Sequence, residues 1–166
     1  MPHASLPTGV SIVPAVVEDV PVILDLIKEL AEFEKLTYMV VATEAMLAEA
    51  LFAPHPKAEV VLARLDDKVV GFALFFPNFS TFLGRPGLYL EDLYVRPEAR
   101  SRGIGQALLL HLAGIARERG CGRFEWTVLN WNGQAIRFYQ RLGAQAMADW
   151  TIMRVSGEAL QNMRKP

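Results

Sequence analysis

The sequence predicts an α/β domain with a mixed, mostly antiparallel sheet that holds one parallel strand pair and is flanked by helices. Three observations lead there. Two β-rich segments, 59–65 and 68–76, flank Asp66-Asp67 and read as an antiparallel hairpin. Strand-like and helix-like segments then alternate from Leu88 to Leu142, the order that joins parallel strands through a crossover helix. Finally, 166 residues, 52% apolar and 21% charged, suffice for one packed core but not for two ordinary domains. Residues 1–166 are therefore read as a single domain.

The elements follow in order. A short strand is predicted near 10–13. Over 20–33, Val20, Ile23, Leu24, Ile27, Leu30 and Ala31 recur at helical spacing, and Asp19 and Pro21 suit the start of that helix. Thr43 can cap a second helix running to about Leu51, before the breakers Pro54-His55-Pro56. The hairpin comes next. After Gly84, Pro86 and Gly87, a third strand is expected over 88–95. A helix over 105–119 carries the apolar stripe Ala107, Leu108, Leu112, Ile115 and Ala116, with Gly120 placed to end it. A strand over 123–128 leads to a helix over 133–142 that Gly143 closes. Two closing strands, 144–148 and 150–155, precede a short final helix.

Composition narrows the function. Lys and Arg number 17 against 18 Asp and Glu, which gives no basic footprint for nucleic acid and no polybasic membrane anchor. The longest apolar runs, such as 69–76, are far shorter than the roughly 20 residues that span a bilayer. The amino terminus has neither a basic start nor an apolar stretch with a cleavage site, so a cytoplasmic location is expected. Cys121 is the one cysteine and is read as a bystander thiol. His3, His55 and His111 are too scattered for a metal site and are read as surface residues, so no metal is expected.

Arg100-Ser101-Arg102-Gly103-Ile104-Gly105 sits where a strand hands over to a helix. Glycines allow close backbone approach, and the first helical N–H groups are unpaired and partly positive. A phosphate or diphosphate suits such a place, with Arg100 and Arg102 available for charge-assisted hydrogen bonds. The same glycines could equally serve only to turn the chain. A P-loop is excluded because no Gly-Lys-Ser/Thr follows, and a dinucleotide fingerprint because Leu108 stands at its third glycine. Glu125 is then a decoy for ribose binding.

Taken with the elements around it, this loop resembles the GNAT superfamily of N-acetyltransferases, whose diphosphate loop reads Arg/Gln-x-x-Gly-x-Gly/Ala and is matched by Arg100, Gly103 and Gly105. The resemblance is closer to the diamine (spermidine/spermine) acetyltransferases and the thialysine acetyltransferases. It runs through Leu26-Ile27-Lys28-Glu29-Leu30-Ala31, Leu88-Tyr89-Leu90-Glu91-Asp92-Leu93, Trp131-Asn132 and Phe138-Tyr139-Gln140-Arg141-Leu142-Gly143-Ala144, in the family's order and spacing. It implies the GNAT fold, with a central splayed parallel strand pair, acetyl-CoA as donor, CoA as product, no metal and a homodimer. The backbone of Leu93, Tyr94 and Val95 would pair with pantetheine, and Arg100, Ser101, Arg102, Gly103, Ile104 and Gly105 would hold the diphosphate. Asn132 and Tyr139 match positions beside the cofactor.

An alkyl ammonium has a pKa of about 10.4, so an amine acceptor arrives protonated and something must take its proton. Glu91, just before the cofactor loop, could do so directly or through water. Strand alternation places Asp92 on the opposite face. Tyr139 matches the family's acid, which protonates the departing thiolate; without the resemblance it reads as a helix aromatic packed beside Phe138. Glu34, Glu91, Asp92 and Trp150 match the acceptor region, though each carboxylate could equally be a solvated charge and Trp150 simple packing. Asn130 stands where the polyamine enzymes carry an acid, 146–149 is less acidic than theirs, and Ser101 replaces a loop glycine. The expected reaction is acetyl transfer to a primary amine of a small cationic acceptor, by direct attack in a ternary complex. Protein lysine acetylation and a non-catalytic acetyl-CoA sensor are the alternatives.

Overall fold

The computed structural model describes residues 6–163, which fall into two compact units, Met1–Thr127 and Val128–Pro166. His3 lies outside the described residues. The first unit is built on a five-stranded sheet, β1 (Val10–Pro14), β2 (Glu59–Leu65), β3 (Lys68–Ser80), β4 (Arg85–Val95) and β5 (Arg123–Trp126), in that spatial order. Every neighbouring pair is antiparallel except β4 and β5, which run parallel. The helices are α1 (Val20–Glu34), α2 (Glu44–Phe52) and α3 (Ile104–Glu118).

Local chemistry accounts for the boundaries. Asp66 and Asp67 both take positive φ, 48° and 64°, as a two-residue turn matched to strand twist requires. Thr43 caps α2 by accepting from Met46 N–H at 3.3 Å. Asp19 gives α1 no side-chain cap. Its carboxylate instead accepts from Val16 N–H at 2.9 Å and from Arg64 at 3.2 Å, pinning the chain entering the helix to β2. At the other end of α3, Gly120 has φ 67°, and Cys121 N–H returns to Ala116 O at 2.9 Å.

The β3–β4 hairpin is longer than its breakers imply. Both strands continue past Pro77 and Pro86, because the chain does not turn until Thr81–Gly84, where Leu83 N–H donates to Ser80 Oγ at 3.3 Å. One face of the sheet packs on α1 and α2 through Ile23, Leu26, Leu51, Val60, Leu62, Phe72 and Tyr94, all buried. Val61, Ala63, Ala73, Phe75, Leu88 and Leu90 point to the opposite face by alternation and are buried, as are Leu108, Leu109 and Leu112 of α3. On this sheet α3 contacts β4 most.

The second unit holds α4 (Gly133–Arg141) and α5 (Gly157–Gln161). The two closing strands expected at 144–148 and 150–155 are not formed in the structure. Trp150, Ile152, Met153 and Val155 are exposed, and a β pattern becomes a strand only where a neighbour completes the ladder. Likewise, β5 stops at Trp126, short of Val128.

Candidate functional site

Two ladders are interrupted at one place on β4. Against β3, Asp92 pairs with Leu74 and Leu90 with Phe75, so Glu91 is an extra residue with no partner, a β-bulge. On the other side, pairing with β5 ends at Leu90–Trp126. Among the described residues, no strand flanks 91–95 on that side. Arg96 N–H donates to Val70 O at 2.8 Å. Hydrogen-bonded pairs recur every second residue in an antiparallel ladder, so Tyr94 also turns its backbone to β3, while Leu93 and Val95 turn theirs to the open edge. An amide-bearing chain could pair there like a strand. The buried Tyr94 ring belongs to the core.

The chain then runs through a 3₁₀ turn, Pro97–Ala99, into the glycine loop. Ser101 and Gly103 take positive φ, 61° and 76°. Ala107 N–H is bonded to Gly103 O at 2.9 Å, which leaves the N–H groups of Ile104, Gly105 and Gln106 ahead of the helix ladder, where an anion can accept them. Ile104 is buried and anchors the turn. A Cβ at Gly105 would come no closer than 3.9 Å to Val95, so that glycine leaves open space beside the free edge. The two loop arginines differ. Arg100 donates Nε–H to Val95 O at 2.8 Å and lies over the rings of Phe33 and Tyr94, 5.0 and 5.4 Å from their centroids. It holds the loop against the strand end. Arg102 is exposed, so its charge faces solvent at the loop.

Carboxylates gather at the bulge. Glu34 is the last residue of α1, and Lys35 in the left-handed region (φ 61°) ends the helix there. Arg96 fixes α1 against β4 by gripping Glu29 through Nη2 at 2.8 Å and Nε at 3.1 Å while Nη1 donates to Val69 O at 3.0 Å. Burial pushes the Asp92 carboxyl up to about 6, and the nearby Glu91 and Glu34 raise it further. Burial raises Glu34 as well. Strict alternation would have parted Glu91 from Asp92, but the bulge breaks the alternation and leaves the two charges close enough to interact. Glu91 is exposed, and Asp92 half-buried.

The remaining candidates lie in the second unit. Asn132 caps α4, its Oδ1 accepting from Ala135 N–H at 3.1 Å. It thereby fixes the start of the helix that carries Tyr139, whose ring is half-buried and tilted against Phe138 at 5.2 Å. Trp150 is 73% exposed. His111, read from sequence as a surface residue, is half-buried on α3, and burial lowers its pKa. Among the described residues, no group of three or more His, Cys, Asp or Glu is placed to hold a metal ion, and no helix is long and apolar enough to cross a membrane.

Sequence reading missed a polar set on the first unit: Glu125, dismissed there as a decoy, accepts from Asn78 Nδ2 at 3.0 Å and forms an ion pair with Arg123, whose Nε stands 2.8 Å away. Only the strand register, which pairs Tyr89 with Glu125 and Gly87 with Arg123, brings these residues together.

Comparison with known proteins gives the family. Residues 23–144 match the family model described as Acetyltransferase (GNAT) family. The chain is 38% identical to a thialysine N-epsilon-acetyltransferase of Mus musculus over 85% of this chain and 89% of that protein. It is 35% identical to an L-ornithine N5-acetyltransferase of Arabidopsis thaliana over 89% and 84%. A 32% match to a human spermidine/spermine N(1)-acetyltransferase-like protein covers 87% of this chain and 22% of that one. Among solved structures, an integron cassette protein from the mobile metagenome of V. cholerae superposes with a TM-score of 0.79 at 30% identity, over 94% of this chain and 98% of that one.

Proposed function

The chain belongs to the acetyltransferase (GNAT) family and is an N-acetyltransferase, and from that premise we propose that it acetylates a primary amine of a small cationic acceptor. The acceptor is a diamine, polyamine or thialysine-like compound, attacking the donor directly in a ternary complex. One observation carries the reading. Glu34, Glu91 and Asp92 converge at the bulge, which is where the free edge of β4 begins.

The residues of the first unit fit acetyl-CoA as donor. The Leu93 backbone and the N–H of Val95, whose carbonyl Arg100 already engages, suit the two amides of pantetheine. The turn from Ser101 to Gly105, the α3 N-terminus and exposed Arg102 suit the diphosphate. Bound there, acetyl-CoA supplies a thioester activated toward amines. Everything else falls to this chain's side chains. Asp92 and Glu34 hold the incoming ammonium and are themselves driven toward ionisation by it. Glu91, exposed at the bulge, takes the proton directly or through one water. Tyr139 is assigned by resemblance as the acid that protonates the departing sulfur, and Asn132 caps the helix that carries it. Trp150 is assigned to the acceptor by resemblance, as is a homodimer, while the amino-terminal sequence suggests a cytoplasmic setting and the length a single catalytic domain. The relatives named for thialysine, ornithine and spermidine/spermine support an amine at the end of a flexible chain.

The test is CoA release from acetyl-CoA against putrescine, spermidine, spermine, ornithine, lysine, thialysine and a lysine-bearing peptide. Turnover with a small amine is expected. Turnover with the peptide alone would make the protein a lysine acetyltransferase of proteins, and tight acetyl-CoA binding with no turnover would make it a sensor.

A further inference from the structure

The carboxylates at the bulge account for one end of an acceptor. We propose that the same sheet face recognises the other end as an α-amino-acid head, with Phe76 and Tyr89 as the floor beneath the connecting chain and Arg123 with Glu125 as the clamp. This rests on the acceptor reading above and deepens it.

Register puts these residues on one face. Leu74, Phe76 and Asn78 alternate outward along β3 on the side that packs toward α1, and across from them stand Asp92, Tyr89 and Gly87 of β4. Glu125 and Arg123 extend the last two rows on β5. The side chains agree with that register. Phe76 and Tyr89 stack at 5.2 Å and 28°, Asn78 reaches Glu125, and the Cβ direction of Gly87 meets both Asn78 and Arg123. One row along a strand is about 7 Å and one strand across about 4.8 Å, so the backbones of Asp92 and Glu125 stand roughly 8 Å apart. A lysine or ornithine side chain is shorter than that, and it bridges the span once the Asp92 and Glu125 side chains extend from their backbones. Tyr89 borders that path, paired with Glu125 and stacked on Phe76 behind it, and both rings are half-buried, so a ring surface remains for an aliphatic or thioether chain.

Charge decides which head fits. A diamine or polyamine would bring a second ammonium to this end. There, the carboxylate of Glu125 is already neutralised by Arg123, and the guanidinium would repel the newcomer. An α-amino acid brings a carboxylate for Arg123 and an ammonium for Glu125. Arg123 can accept it, since its side chain is 39% exposed and, among the described residues, is met at Nε by Glu125 and at Nη2 by Phe79 O, 3.3 Å away, which leaves Nη1 for a carboxylate.

Ornithine and putrescine test this cleanly, because they differ only by the carboxylate. Titration of each into the protein saturated with CoA should show ornithine binding about tenfold more tightly, the worth of one charge-assisted hydrogen bond. Arg123→Gln should bring the ratio near unity, and Arg123→Lys should restore part of it, which a misfolded variant would not do. Equal or tighter putrescine binding in the unaltered protein, or an unchanged ratio in Arg123→Gln, would overturn the proposal. CoA release measured alongside separates the two readings: selective binding without acetyl transfer would sink the transferase reading of this site while leaving the clamp standing.

Discussion

Replacing Asp92 with Asn should stabilise the protein at neutral pH while crippling it. The Asp92 carboxyl is pushed from 3.8 up to about 6, first by burial and then by Glu91 and Glu34. A group whose folded pKa exceeds its unfolded value binds more protons in the folded state, so stability falls as pH rises between roughly 4 and 6 and stays low above. A displacement of about two units at 1.36 kcal/mol each sets an upper bound of about 3 kcal/mol on that cost. Asn keeps the shape without the charge. Urea unfolding of both proteins at pH 4 and pH 8 should therefore show Asp92→Asn more stable by 1 to about 3 kcal/mol at pH 8, several degrees in Tm, and nearly equal at pH 4. Carboxylates remote from Asp92 titrate in both proteins and cancel in the difference, while relief of Glu91 and Glu34 adds to the gain at pH 8. In the same variant kcat/KM for the amine should drop at least tenfold, since an ammonium loses its most desolvated partner. A difference in stability that is absent at pH 8, or the same at both pH values, would refute the claim that Asp92 is held charged at a cost.

Gly87→Ala should destabilise by about 1–3 kcal/mol by pushing the Asn78 side chain off Glu125, because the new Cβ would overlap Asn78 Oδ1; adding Asn78→Ala should recover much of it in denaturant titrations. Gly103→Val should weaken acetyl-CoA at least tenfold in calorimetry, since a β-branched residue resists φ 76° and the turn ahead of α3 must reshape. Unaltered affinity would remove that turn from the donor site. Tyr139→Phe should lower kcat by about tenfold or more with little change in acetyl-CoA affinity, and full turnover with chemistry rate-limiting would dismiss Tyr139 as the acid.

Most of this fold was legible because its signals are local. The α1 and α3 stripes, the Thr43 cap and the Asp66-Asp67 turn all depend on residues within a few positions of one another, and each formed as read. The turn from Arg100 to Gly105 ahead of α3 was legible for the same reason. The losses are non-local. Trp150 to Val155 carries a strand pattern, yet pairing needs a neighbour that sequence does not name. Asp19 looked like a cap and was instead engaged by Arg64, 45 residues away. Glu125 could be placed beside Asn78 and Tyr89 only after the β3–β4 and β4–β5 registers were known.

The bulge at Glu91 is the clearest case of a feature with no local signature and a large effect. One extra residue in β4 shifts the ladder to β3, and the parallel ladder to β5 stops at the neighbouring position, Leu90. The loss of pairing leaves the backbone at Leu93 and the N–H of Val95 without a strand neighbour among the described residues. It also lets two consecutive acidic residues act near one another, which regular alternation forbids. Burying Asp92 among like charges is expensive for the apo protein, and the same expense makes the place attractive to a cation, whose arrival relieves both the repulsion and the lost hydration. A bulge that opens an edge for the donor and gathers charge for the acceptor thus couples the two halves of the proposed site through a single residue. Deleting Glu91 should therefore restore regular pairing and abolish acetyl-CoA binding and amine binding together, whereas Glu91→Gln should spare the donor and lower only turnover.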